Sequence, residues 1–198
     1  VAAVKASCYL TPMSADPFHL NRPVHLARRD VFFEKAVARI RKLKNQDQPA
    51  EQCKTAEEAL FLLLEARLCA EAANLSEKTS TQNRLFMDFM DTAVDNTRSI
   101  TSLLRRQISV NVPHNPLDLF LGSGDTGSEM SGHYRRCAAH ILKGLLLILQ
   151  KAEKPFRDLR QTSVAKMTAE DKIRYEKAYS HFEELADSEA EKAVAEAL

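Results

Sequence analysis

Residues 81–108 read TQNRLFMDFMDTAVDNTRSITSLLRRQI and contain neither glycine nor proline. Apolar side chains recur along this stretch at a spacing close to 3.6 residues, and they form one stripe from Phe86 to Ile108. Charged side chains such as Asp88 and Arg105 fall on the opposite face. The stretch therefore predicts an amphipathic helix about 40 Å long, which suits a helical bundle better than a globule of short helices.

Long segments on both sides of this helix also lack helix breakers. All five glycines lie between Gly122 and Gly144, and the blocks 50–112 and 156–198 contain neither glycine nor proline. Blocks of this kind that are rich in Ala, Leu, Glu, Lys and Arg favour helices. Besides the stretch quoted above, we expect helices over residues 28–45, from a capping box at Thr55-Ala-Glu-Glu58, over 131–154, and from Thr168 towards the C-terminus.

These patterns predict an all-α fold, a bundle of four to five amphipathic helices with one long loop containing Gly and Pro at 109–132. Pro155 is expected to end the fourth helix. We predict a flexible N-terminal segment over 1–27, a helical bundle over 28–155, and a C-terminal helical segment over 156–198 that docks on the bundle.

Composition narrows the class of protein. The chain is 44% apolar and 28% charged with a net charge of +1, so we expect a folded domain that does not bind nucleic acid. Its four cysteines form no CxxC pair, which favours a reducing compartment. We expect a cytoplasmic protein or, if residues 1–12 include a leader that is removed, one from an organelle interior.

The two ends of the predicted bundle carry opposite charge. Residues 22–44 contain eight Lys and Arg against two acids, a net +6, whereas residues 168–198 contain nine acids against four bases, a net −5. The simplest interpretation places the basic first helix beside the acidic last helix. Alternatives are an organelle-targeting segment, or contact with an acidic partner or an anionic membrane. The residues for that contact would be Arg39, Arg41, Lys42 and Lys44.

Two short patterns suggest a bound ligand or metal. Gly122, Gly124 and Gly127 match GxGxxG literally, and their loop could bind an anion together with Arg135 and Arg136. A dinucleotide site would need a second parallel strand after the following helix, and residues 156–198 offer none. The residues His133, Cys137 and His140 share one helix face and are of types that bind zinc, but no second Cys/His pair completes four ligands. No resident metal or cofactor is therefore expected.

One N-terminal peptide suggests a protein partner. Asp16-Pro17-Phe18 resembles the short DPF peptides that bind clathrin-adaptor appendages. Thr168–Tyr175, with Phe182, resembles the first helix of an EH domain, although the calcium-loop portion of that domain is missing. The two resemblances imply a role in membrane traffic.

Three hypotheses follow. The leading one is a non-enzymatic interaction or scaffold protein, a subunit of a larger assembly, whose partner is another protein or a second copy of the chain. The second is a membrane-traffic adaptor that touches anionic lipid. The third is a helical protein that binds a small molecule or a metal. No arrangement of Ser, His, Asp or Cys indicates catalysis, so we do not expect an enzyme.

Overall fold

The protein is an all-α bundle, as the sequence predicts. The computed structural model describes residues 22–74, 81–110 and 126–197 of the chain. The five helices in these ranges are α1 (Arg22–Leu43), α2 (Pro49–Asn74), α3 (Thr81–Val110), α4 (Thr126–Ala165) and α5 (Ala169–Ala197).

Helix α1 lies at the centre of the bundle. Twelve of its 22 residues are buried, and it packs against α2 and α5 and, more lightly, against α4. Helix α2 also contacts α3 and α5, and α3 packs along α4. Apolar side chains of α1, Phe32 and Ile40 among them, are fully buried. This central position explains why a helix rich in charge still has a continuous apolar surface to bury.

An aromatic cluster joins three of the helices. Phe33 of α1 lies 5.7 Å from Phe86 and 5.9 Å from Phe89 of α3, and 4.3 Å from Phe156 of α4, measured between ring centroids. Phe86 and Phe156 stack at 5.4 Å. Rings at these separations contribute packing beyond simple area burial, so the cluster fixes α4 against the α1–α3 side of the core.

The structure confirms two predictions about the helices and corrects two predicted starts. Helix α3 runs almost as predicted, and Thr168 caps α5, because its Oγ1 accepts a hydrogen bond of 3.1 Å from the backbone N–H of Asp171. The predicted starts of α1 and α2 were wrong, since α1 already begins at Arg22 and α2 at Pro49. A proline at the first position of a helix loses no hydrogen bond there.

The prediction for α4 was also wrong at both ends. This helix begins at Thr126, inside the predicted loop, and continues through Pro155 to Ala165. Pro155 costs one backbone hydrogen bond, yet the helix persists because Phe156 and Leu159 directly after it are buried in the core. The proposed division at 155 therefore falls within a continuous helix. The remainder of the predicted loop, and the segment 1–21, lie outside the described residues.

Candidate functional site

An open cavity of about 540 Å³ lies between the α1–α2 turn, α3 and α4. Its floor is apolar and buried at Leu43 of α1, at Ile100 and Leu104 of α3, and at Ala138 of α4. Leu147 of α4 also lines it and is 54% exposed, so the cavity opens to solvent. The α4 side of the lining runs from residue 135 to residue 150, four turns or about 22 Å of helix.

Side-chain hydrogen bonds hold the α1–α2 turn in place at one edge of this cavity. The amide Nε2 of Gln52 donates to the backbone carbonyl of Gln46 at 2.6 Å, and Nε2 of Gln46 donates to Oγ1 of Thr55 at 3.0 Å. Thr55 is buried within α2 instead of beginning that helix. The capping-box prediction at Thr55 is therefore wrong. Thr55 lies inside α2, and its hydroxyl stabilises the α1–α2 turn by accepting from Gln46.

Three cations stand at the edges of the cavity: Lys44 at the α1–α2 turn, and Arg135 and Lys143 on α4. All three are exposed, and none forms an ion pair with any residue that the structure describes. Asp47 is the acid among the lining residues. The cavity therefore combines an apolar floor with a rim whose charge is net positive.

Most basic residues of α1 have partners within the fold, whereas Lys42 has no ion pair among the described residues. Arg28 bonds to Glu65 at 3.0 Å and to Glu189 at 2.8 Å, and its guanidinium lies over Phe32 and Phe182. These contacts, with the others below, confirm that the basic first helix lies beside the acidic last helix.

The four residues proposed to touch a membrane or an acidic partner separate into two groups. Arg39 bonds to Glu58 at 2.8 Å and to Asp187 at 2.9 Å, and Arg41 pairs with Glu153. Lys42 and Lys44 are exposed, and Lys44 borders the cavity. Because they neutralise acids of the same chain, the two arginines are less available to a partner than the two lysines.

A polar network runs from the core to the surface on the other side of α1. Asp30 is 1% exposed and accepts hydrogen bonds from Nε of Arg29 and from the hydroxyl of Tyr175, both at 2.7 Å. Arg160 of α4 donates to the same hydroxyl at 3.0 Å and to Glu34 at 2.6 Å, and Glu34 also accepts from Tyr179 at 2.6 Å. The network therefore ties α1, α4 and α5 together.

Burial controls the protonation of this network. Desolvation, followed by the neighbouring carboxylates, raises the pKa of Tyr175 and raises the pKa of Tyr179 to about 12. Both phenols therefore stay protonated near neutral pH and act as hydrogen-bond donors. Since Asp30 is enclosed and its partners belong to the fold, the arrangement stabilises helix packing and offers no open position for a substrate.

The proposed metal ligands lie on the solvent side of α4. The Cys137 Sγ is 3.6 Å from Nε2 of His133, and both histidines are exposed. Within the described ranges no group of three or more His, Cys, Asp or Glu side chains is arranged to hold a metal ion. His140 thus shares a helix face with the pair, as the spacing predicts, without assembling a site.

The predicted anion-binding loop lies only partly within the described residues. Gly122 and Gly124 lie outside the described residues, whereas Gly127 lies in the first turn of α4. Arg135 lines the cavity, and Arg136 is exposed with its Nη1 beside Gly132. The DPF peptide, Asp16, Pro17 and Phe18, also falls outside the described part of the chain.

The sequence analysis did not predict the cavity. The sequence feature that could have indicated it lies in α4, where Leu145-Leu-Leu-Ile-Leu149 gives an apolar surface wider than one core-facing stripe requires. Leu145 and Leu149 are buried, Leu146 is half-buried, and Leu147 is exposed. Of this run of five apolar residues, Leu146 and Leu147 line the cavity, whereas Leu145 and Leu149 face the core.

Comparisons with protein-family models, with curated proteins and with solved structures found no match to this chain. Among the helices that the structure describes, none has the length and apolar character needed to cross a membrane.

Proposed function

We propose that this chain is a non-enzymatic interaction protein that binds a helix of another protein in the cavity between the α1–α2 turn, α3 and α4. The observation that carries this proposal is the apolar lining that reaches solvent at Leu142, Leu146 and Leu147, because apolar surface that no described element covers is typical of binding sites. Leu147 at its edge is an apolar side chain left mainly in water.

The shape of the cavity favours a helix as the bound group. Its α4 side continues over four turns, which matches the apolar face of a helix of about 15 residues. Recognition of this kind places anchors at positions i, i+3 or i+4, and i+7 of the incoming helix into a groove. The described elements already provide both walls, α3 with α4 on one side and the α1–α2 turn on the other.

The test uses a synthetic amphipathic peptide of about 15 residues with leucine at these anchor positions and glutamine elsewhere. We expect the labelled peptide to bind the full chain in fluorescence anisotropy, and the Leu147→Gln variant to weaken binding severalfold. The matched control is Leu68→Gln, because Leu68 is also 54% exposed but lies on α2 and does not line the cavity. Failure of the peptide to bind, or equal loss in both variants, would contradict the proposal.

A second candidate function is the binding of an apolar small molecule in the same cavity. Its volume of about 540 Å³ falls within the range of about 300–1,000 Å³ that is typical of ligand pockets. Decanol serves as the probe. If decanol raises the melting temperature of the wild type but not of the Leu147→Gln variant, and the peptide does not bind, the small-molecule function replaces the helix-binding one.

A further inference from the structure

We infer that the helix bound in this cavity is acidic, with carboxylates flanking its apolar stripe, and that Lys44, Arg135 and Lys143 select it. This inference rests on the proposed function and adds the chemistry of the partner. It depends on the distribution of unpaired charge around the cavity.

Several basic side chains of α1 are neutralised within the fold. Arg28, Lys35 and Arg39 all reach acids of α2 or α5 within 3.0 Å. By contrast, the three cavity cations have no ion pair within the described residues, although α1 and α4 both carry acids elsewhere. Other exposed cations of the described residues, such as Lys42, Arg106 and Lys151, also lack an ion pair, so what distinguishes these three is their position around an apolar floor.

Their positions define a charge pattern for the partner. Arg135 and Lys143 are eight residues apart on α4, about 12 Å along the helix axis. Two acids spaced i and i+7 on a bound helix are about 10.5 Å apart, so they can face these cations together. Lys44 stands at the edge formed by the α1–α2 turn and would meet an acid on the other flank of the apolar stripe.

Asp47, the acid among the lining residues, limits but does not reverse this preference. It lies three residues from Lys44 on the same turn and is exposed, so solvent screens it. Three cations against one carboxylate leave the rim net positive. A helix with basic flanks would place like charges together at the rim. The resulting repulsion disfavours a basic helix, just as attraction favours an acidic one.

The experiment compares three labelled peptides that share the same leucine stripe. They carry glutamate, glutamine or lysine at the three positions that would face Lys44, Arg135 and Lys143. At about 0.02 M salt we expect the glutamate peptide to bind about tenfold more tightly than the glutamine peptide, because three exposed ion pairs contribute additively. At about 0.5 M salt the difference should shrink to about twofold. The lysine peptide should bind most weakly.

Charge reversal assigns the effect to these residues. The variant Lys44→Glu/Arg135→Glu/Lys143→Glu should invert the order and bind the lysine peptide best. The control is Lys151→Glu, because Lys151 is exposed on α4 but does not line the cavity. If the triple variant fails to fold, as judged by its melting curve, the single variant Arg135→Glu and the salt series of the wild type still test whether these cations select the acidic peptide.

The outcomes distinguish the preference for an acidic helix from the proposed binding of a helix in the cavity. If all three peptides bind equally and Leu147→Gln weakens all of them, the cavity binds helices but the acidic preference is wrong. Absence of binding by every peptide overturns both proposals. Binding of phosphatidylserine vesicles in place of the glutamate peptide, lost in the triple variant, would show that the cations serve an anionic membrane and would refute the acidic helix.

Discussion

Replacing Asp30 by asparagine should destabilise the protein severely, because the buried positive charge of Arg29 then lacks its carboxylate partner. Asp30 and Arg29 are both almost completely buried, and the carboxylate accepts from Nε of Arg29 at 2.7 Å. Asparagine has nearly the same shape, but its single carbonyl oxygen can accept from only one of the two donors, Arg29 or Tyr175, and its NH2 group faces the other. The substitution therefore removes the negative charge and one acceptor, and the buried Arg29 guanidinium is left unneutralised, while Arg160, 3.8 Å away, keeps Glu34.

The size of the effect follows from this burial. Removing one partner of a buried ion pair costs about 3–5 kcal/mol, because the remaining charge has no water to solvate it. The rings of Phe86 and Phe156, 5.4 and 6.0 Å from the guanidinium, offset part of that cost. We therefore expect a loss of about 3 kcal/mol, a large share of the roughly 5–15 kcal/mol that stabilises a folded protein.

Urea denaturation followed by circular dichroism measures this loss. With a slope of about 3 kcal/mol per molar urea, the midpoint should fall by about 1 M. The control is Asp95→Asn, since the side chain of Asp95 is 76% exposed and its contact with Arg98 is 3.4 Å long. That variant should change the free energy of unfolding by less than about 0.5 kcal/mol.

A double variant distinguishes unpaired charge from poor packing. Arg29→Met/Asp30→Asn removes both charges and keeps an apolar stem against the aromatic cluster, so it should recover most of the stability lost in Asp30→Asn. The reasoning is refuted if Asp30→Asn costs less than about 1 kcal/mol, or if the double variant is no more stable than Asp30→Asn.

Three further predictions concern other parts of the bundle. Thr168→Ala should cost about 1 kcal/mol in urea denaturation, because it removes the acceptor for the N–H of Asp171, whereas Thr162→Ala on the exposed side of α4 should cost almost nothing. Gly144→Ala should raise the free energy of unfolding by about 1 kcal/mol, since Gly144 is exposed inside α4 and an added Cβ meets nothing within 4 Å; a loss would reveal a contact there. Burial raises the pKa of Cys69 to about 12, so unfolded thiol loses its proton before folded thiol and stability should decline above about pH 9. Cys69→Ala should make that decline, measured under reducing conditions from pH 8 to 11, shallower, and an unchanged slope would contradict the assignment.

Local patterns predicted the helical elements well where the core-facing stripe was unambiguous. Residues 86–108 show one stripe, and α3 buries it as expected, with Phe86, Ile100 and Leu104 in the core. Thr168 was recognised as a cap because the signal is contained in four consecutive residues. Such features depend on neighbours in sequence, so the amino-acid order alone suffices.

Predictions failed where a distant contact outweighed a local preference. Pro155 looks like a helix end, but Phe156 packs at 4.3 Å from Phe33, more than a hundred residues away, and burial carries α4 through the proline. Thr55 looks like a cap, but it accepts from Gln46 inside a helix that begins earlier. In both cases tertiary packing outweighs a local term of only a few kcal/mol.

The sequence by itself determined the all-α class, the face that α3 buries and the opposite charges of α1 and α5, because these follow from residue spacing and composition. Only the tertiary structure decided which cations are neutralised and which border an open cavity. Arg39 and Lys44 lie five residues apart in one basic segment, yet Arg39 bonds to Glu58 and Asp187, while Lys44 borders the cavity without an ion pair to any described residue. That distinction depends on side chains brought together from α2 and α5, since charge pairing acts over a few ångströms of space whatever the separation along the chain.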